Sequence, residues 1–229
     1  MYLIEMCKDM VTIFSKYWYQ FLVKGLCVTL LLSLMTVFFG SIIGALLALI
    51  KMGKIKPLKW LVDIFVEIVR GTPMLLQLFI GVFLMPVIFP AMNELESKKL
   101  ICISITLILN SAAYVSEIIR SGIEAVDKGQ TEAARSLGLN SGVTMTEIVL
   151  PQAVKNILPA LGNEFITVIK ETSLASTFYI GELMTVYYTV IGVTHNSLPT
   201  LMIIGVIYFV VNFLLSRLLK IVERKMKHA

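Results

Sequence analysis

Residues Gly25–Ile50 read GLCVTLLLSLMTVFFGSIIGALLALI, an uncharged run of 26 residues between Lys24 and Lys51. As an α-helix this run is about 39 Å long, more than the roughly 30 Å hydrocarbon core of a bilayer. Its backbone polar groups are all satisfied internally in a helix, which is the requirement for crossing lipid. The rest of the chain has the same character. Of its 229 residues 57% are hydrophobic and only 15% charged, and the mean hydropathy is +0.85. Soluble domains run about 45–50% apolar and about 25% charged, because charge must coat a solvated surface. The composition therefore excludes an ordinary soluble domain and gives an all-α, polytopic membrane bundle.

Further charge-free runs follow at Gly71–Asn93, Leu100–Ser116 and Pro199–Ser216, with an apolar stretch from Leu158 to Glu182 interrupted by Glu164, Lys170 and Glu171. These predict five transmembrane helices, approximately 22–50, 60–88, 100–119, 158–181 and 199–218, in a single membrane domain covering 1–229. The second is expected to begin inside the cell near Leu58, with Asp63, Glu67 and Arg70 on its cytoplasmic part, and Pro73, Pro86 and Pro90 are expected to kink it toward the outer face. The opening segment MYLIEMCKDMVTIF has no basic start, apolar middle or small-residue cleavage site, so the first apolar run is expected to be retained.

Lysine and arginine in short loops set orientation. Lys51, Lys54, Lys56 and Lys59 fall in the first loop, Arg120, Lys128, Arg135 and Lys155 in the loop after the third span, and Arg217, Lys220, Arg224, Lys225 and Lys227 in the tail. The opposite loops hold Lys98 and Lys99 or none. The N-terminal segment carries Lys8, Lys16 and Lys24, but the balance places the N-terminus outside and the C-terminus in the cytoplasm. The net charge of +5 sits in these stretches, which fit anionic lipid or a cytoplasmic partner better than a nucleic acid. Cys7, Cys27 and Cys102 lack metal or redox spacing, and His195 and His228 have no neighbouring ligands, so no metal site is expected. Gly40 and Gly44 form a GxxxG within a small-residue cluster, either a packing face or a chance pattern.

The loop 121–157 is the least membrane-like part. Thr131–Leu137 is strongly helix-forming, Gly138 is placed to stop it in the left-handed conformation, Ser141 can cap a second short helix, and Pro151 marks the next segment. Two short helices with a sharp turn make a rigid knob at the cytoplasmic face.

Glu132, Ala133 and Ala134, Gly138 after three residues, Ile148 after nine more, then Leu150 and Pro151, together resemble the EAA loop of type I ABC importer permeases, and every spacing holds. RGTPMLLQLF (Arg70–Phe79), AAYVSEIIRSGIEAVDKGQTEAARSLG (Ala112–Gly138) and LPALGNEFITVIKETSL (Leu158–Leu174) are similar to its polar amino-acid uptake branch. The resemblance implies a permease subunit of the cell membrane that pairs as a homo- or heterodimer. Its EAA loop would dock in a cytoplasmic ABC ATPase subunit, and an extracytoplasmic amino-acid-binding protein would deliver the substrate. No cofactor is expected in this chain; ATP and Mg belong to the partner ATPase, in keeping with the absence of a GxxxxGK[ST] loop here. The alternative is a secondary amino-acid transporter with its own ion coupling, a class that often shows duplicated halves. A membrane enzyme would need a convergent cluster that the two histidines do not provide.

Charges at membrane depth mark function or pairing. Glu171, about 20 Å along a helix from Leu158, is either a carboxylate on the substrate path or a partner of Lys170. Glu164, nearer the loop, is expected at the cytoplasmic interface. Glu117, with Tyr114, either faces the same path or is an interfacial charge beside Arg120. Thr172 and Ser173 are placed to break or hydrate the helix beside Glu171, and Glu182 to form part of an external gate or a binding-protein contact.

Overall fold

The computed structural model describes residues 2–228, with the side chains of residues 3–226; Lys227 and His228, counted above, have side chains outside the described set. Among the described residues there are helices and turns but no strand. In chain order the helices are α1 (Tyr2–Trp18), α2 (Leu26–Met52), α3 (Lys56–Gly71), α4 (Met74–Ile88), α5 (Lys98–Glu124), α6 (Lys128–Ser136), α7 (Ser141–Val143), α8 (Leu150–Glu171), α9 (Leu183–Thr194) and α10 (Ser197–His228).

Among the described residues three helical stretches are long and apolar enough to cross a membrane: Leu3–Met52, Lys98–Glu124 and Ser197–Met226. A fourth is added if α3 and α4 count together. The stretch read as one span from 60 to 88 is thus two helices, with a 113° bend at the break. The physical reason is Pro73: it disfavours a helical Thr72, and Thr72 is extended at φ −119°, ψ 147°. The N-terminal segment is helical as well. A wide π turn, Tyr19–Gly25, joins α1 to α2. The region 158–181 belongs to a longer helix, because α8 begins at Leu150 and passes into a 3-10 turn, Thr172–Phe178, that ends at Tyr179 with φ +57°. The stretch after Glu182, expected as an outer loop, holds the twelve-residue apolar helix α9, stopped by His195 at φ +56°.

The chain divides into two units. The first comprises 1–36, 73–107 and 166–215. Its core gathers Ile13 and Phe21 with Leu183, Val186, Val190, Ile203, Ile204 and Ile207, and a second cluster gathers Leu32, Leu78, Ile103, Leu107, Ala175 and Phe178. Gly25 lets α9 lie against the start of α2: a Cβ there would stand 2.9 Å from Leu183 Cα.

The second unit comprises 37–72, 108–165 and 216–229. Here the GxxxG is a packing face. A Cβ on Gly40 would stand 2.9 Å from Ser111 Cβ, and one on Gly44 would stand 2.8 Å from the Ala112 carbonyl oxygen. Two small residues one turn apart bring α2 against α5 at backbone distance. Val62 and Val66 of α3 pack on Ala113, with Leu47 and Ile50 of α2 around them. Val126, Val149, Ala153 and Ile157 close the core beneath the loop. The most apolar parts of the Leu3–Met52 and Ser197–Met226 stretches are only 28% and 22% buried, against 56% for α5. Such faces are costly in water and are natural neighbours for lipid.

Candidate coupling loop and polar residues of the membrane helices

The loop from Glu124 to Leu150 is built by its caps. Asp127 caps α6, its carboxylate accepting from Gly129 N at 2.8 Å. At the other end Gly138 N donates to Arg135 O at 3.0 Å and Leu139 N to Ala134 O at 3.1 Å, with Gly138 at φ +86°. This pair of bonds is the Schellman closure, which requires a left-handed residue where glycine alone carries no Cβ penalty. The N-cap of the second helix is Asn140, whose side chain accepts from Val143 N at 2.9 Å. The expectation for Ser141 is corrected: one residue further on, its Oγ instead accepts from Arg135, which also donates to Leu139 O, both at 3.1 Å. The guanidinium therefore ties the turn from inside.

Of the signature residues, Ala134 is buried while Glu132, Ala133 and Gly138 are exposed. Ala134 is small because it faces inward beneath the turn. Ile148 is half-buried, and Leu150 and Pro151 are exposed. Pro151 stands in the first turn of α8, directly after a π-type stretch, Thr144–Val149. A proline has no N–H to donate and crowds the carbonyl four residues before it, so a widened turn just ahead of it relieves both problems. Leu137, at the tip, is 83% exposed. A cleft of about 740 Å³ runs beside α6, with Glu124, Lys128 and Arg135 on its wall alongside the apolar Val126, Met145 and Val149. The loop is thus a hydrogen-bonded knob with an apolar tip, a shape that can seat in a groove and bear load.

Tyr114 and Glu117 lie in the second unit; Glu171, Thr172 and Ser173 lie in the first. Glu117 is engaged by cations. Lys51 donates to its Oε1, Arg120 to its Oε2 at 2.9 Å, and Arg70 approaches Oε2 at 3.5 Å. Lys51 also reaches Asp63 at 3.0 Å, and Arg120 reaches Glu124. Arg70 lies over the Tyr114 ring, 5.5 Å from its centroid. The Arg120 neighbour was visible at spacing i,i+3, whereas Lys51, 66 residues away, was not.

Glu171 is half-buried, and among the described residues no ion pair joins it to Lys170, which is exposed. Thr172 and Ser173 donate their hydroxyls to Ile169 O at 2.8 Å and Lys170 O at 2.6 Å. These back-bonds to residue i−3 accompany the tightening of α8 into its 3-10 turn. Glu164 is buried, 9% exposed, and accepts from Ser111 Oγ at 3.1 Å. Asn110, one residue before Ser111, is also buried. Glu182 is fully buried, and its carboxylate caps α9, accepting from Met184 N and Thr185 N at 2.6 Å each and from Thr185 Oγ1 at 2.8 Å. The gate or partner contact expected of it is corrected to a buried cap. Among the described residues no group of His, Cys, Asp or Glu is arranged to hold a metal ion.

Residues 40–228 match the family described as binding-protein-dependent transport system inner membrane component. The chain is 41% identical over 207 residues to the arginine transport system permease protein ArtQ of Bacillus subtilis (strain 168), covering 90% of this chain and 93% of that one. It is 40% identical over 206 residues to the putative glutamine transport system permease protein GlnP of Rickettsia bellii (strain RML369-C), with the same coverage. Among solved structures it is similar to a chain of an amino acid ABC transporter crystallised with histidines, with TM-score 0.86 and 40% identity over 92% of this chain and 96% of that one. This chain belongs to the family of inner membrane components of binding-protein-dependent transport systems.

Proposed function

We propose that this chain is the membrane-spanning permease subunit of an ATP-driven importer of a polar amino acid. The observation that carries it is the Schellman-closed knob of α6, with every residue of the EAA spacing in place and Leu137 exposed at its tip. The relatives named above transport arginine, glutamine or another amino acid by their descriptions, which supports the substrate class.

In this reading the knob from Glu132 to Pro151 seats in a cleft of a cytoplasmic ABC ATPase that binds ATP and Mg. The chain pairs with a second permease, identical or related, and a binding protein delivers substrate from outside. The distribution of lysine and arginine favours the N-terminus outside and the C-terminus in the cytoplasm. Glu171 is the carboxylate kept on the substrate path, since Glu117 already holds three cations. Glu164 joins it as a candidate, because a buried carboxylate in a membrane helix needs a reason to be there. Either one offers a negative charge to an ammonium or a cationic side chain.

Accessibility reporters at Gly53 and Lys225 should be cytoplasmic, and one at Asn196 external. Co-purification should recover an ABC ATPase with the wild-type chain and lose it when α6 is replaced by a flexible linker. An external Gly53, or an ATPase retained without α6, contradicts the reading.

A further inference from the structure

One carboxylate in the second unit gathers cations from three helices. Glu117 of α5 receives Lys51 from α2, Arg70 from α3 and Arg120 from its own helix, and Lys51 reaches back to Asp63 of α3. The Lys51–Glu117 pair at its centre is not an ordinary surface pair, which contributes about 0–1 kcal/mol. The Lys51 and Glu117 side chains are only 10% and 17% exposed, so removing one partner leaves the other charge desolvated. The same helices are already held sterically. Gly44, seven residues before Lys51 and so on the same face of α2, touches Ala112 and Val115 of α5. Val62 and Val66 of α3 pack against Ala113. The cluster also leads directly into the knob: Arg120 holds Glu124, the last residue of α5, and Asp127, three residues on, caps α6.

We infer that Glu117 is the hub of a clamp that makes the cytoplasmic ends of α2, α3 and α5 one rigid body, so that a displacement of the α6 knob moves all three helices together. This inference rests on the importer reading. Glu117 acts here through its neighbours as a positioning residue and does not touch the transported molecule. Without the clamp the knob still seats, but its movement is dissipated among helices free to shift separately, and ATP is spent without transport.

The test uses the complete transporter complex in liposomes. For the mechanical arm, Cys7, Cys27 and Cys102 are replaced by serine, and spin labels are placed at Gly53 and Ser121, beyond α2 and on α5. Glu117→Gln should broaden the label-to-label distance distribution about twofold, since only short-range packing then holds the ends together. An unchanged distribution overturns the clamp. For the functional arm, Glu117→Gln and Lys51→Met should each raise the ATP hydrolysed per molecule imported about tenfold, within the usual range of coupling energies. The KM for substrate should stay as in wild type, and Lys51→Arg should retain tight coupling. The double variant should be no worse than Glu117→Gln, because both changes remove one network. Multiplying effects overturn the proposal, as does a KM raised at unchanged maximal rate, which would place Glu117 on the substrate. If the wild-type complex imports nothing, the importer reading falls, while the label distances still decide whether the clamp exists.

Discussion

Ser111 Oγ donates a 3.1 Å hydrogen bond to Glu164 Oε1, fastening α5 to α8 inside the second unit. Ser111 is fully buried and Glu164 nearly so. A carboxylate held this way is either a tie between two helices or a charge kept ready for a ligand, and two substitutions distinguish the roles. Glu164→Gln keeps shape and hydrogen bonding but removes the charge. We expect it to lower uptake about tenfold, most for cationic amino acids, with the unfolding midpoint of the purified protein little changed. Ser111→Ala should cost about 1–3 kcal/mol of stability through the lost donor to a buried group. Glu171→Gln should also lower uptake. Wild-type uptake in Glu164→Gln with a lowered midpoint would make Glu164 a structural tie.

Gly138 is a conformational requirement and not a steric one. Its φ is +86°, and nothing lies within 4 Å of the place a Cβ would occupy. Gly138→Val should therefore strain the turn by about 1–2 kcal/mol, whereas Gly138→Asn, which tolerates the left-handed region, should be mild. Uptake and recovery of the ATPase on purification should fall with valine and largely persist with asparagine. Equal effects of the two would show that side-chain bulk at the docking surface matters and the turn geometry does not.

Glu182 should behave as a structural cap. Its carboxylate accepts two backbone N–H groups and the Thr185 hydroxyl, and Tyr208 OH approaches it at 3.5 Å. Glu182→Ala would orphan buried donors at the start of α9 and should cost about 3 kcal/mol. A thermal unfolding series in detergent checks this. Surviving protein should keep the wild-type KM for substrate. A normal midpoint with a changed KM would return Glu182 to a role at the outer face.

Much of the helical content was readable because lipid imposes a simple rule on sequence: long uncharged runs must be helices, and α2, α5 and α10 lie where those runs are. The turn after α6 was readable because it needs a glycine at one position. The break at Thr72–Pro73 was visible only as a proline in an apolar run, which a membrane helix can also tolerate as a kink. The short helix α9 was missed because its cap is a glutamate that reads as a loop charge until its burial is seen. The partners of Glu117 and Glu164 were hidden for another reason. Lys51 is 66 residues from Glu117, and Ser111 is 53 residues from Glu164. Helical periodicity places a residue on a face, but it does not say which helix that face will meet.

The most direct test is uptake in sealed liposomes holding this chain with its ATPase and binding protein, using a panel of radiolabelled amino acids. We expect accumulation that requires ATP inside with the ATPase and the binding protein outside, that persists when proton and sodium gradients are abolished, and that is selective for one or a few polar amino acids. Uptake by the chain alone, driven by an ion gradient and indifferent to ATP, would contradict it and identify a secondary transporter instead.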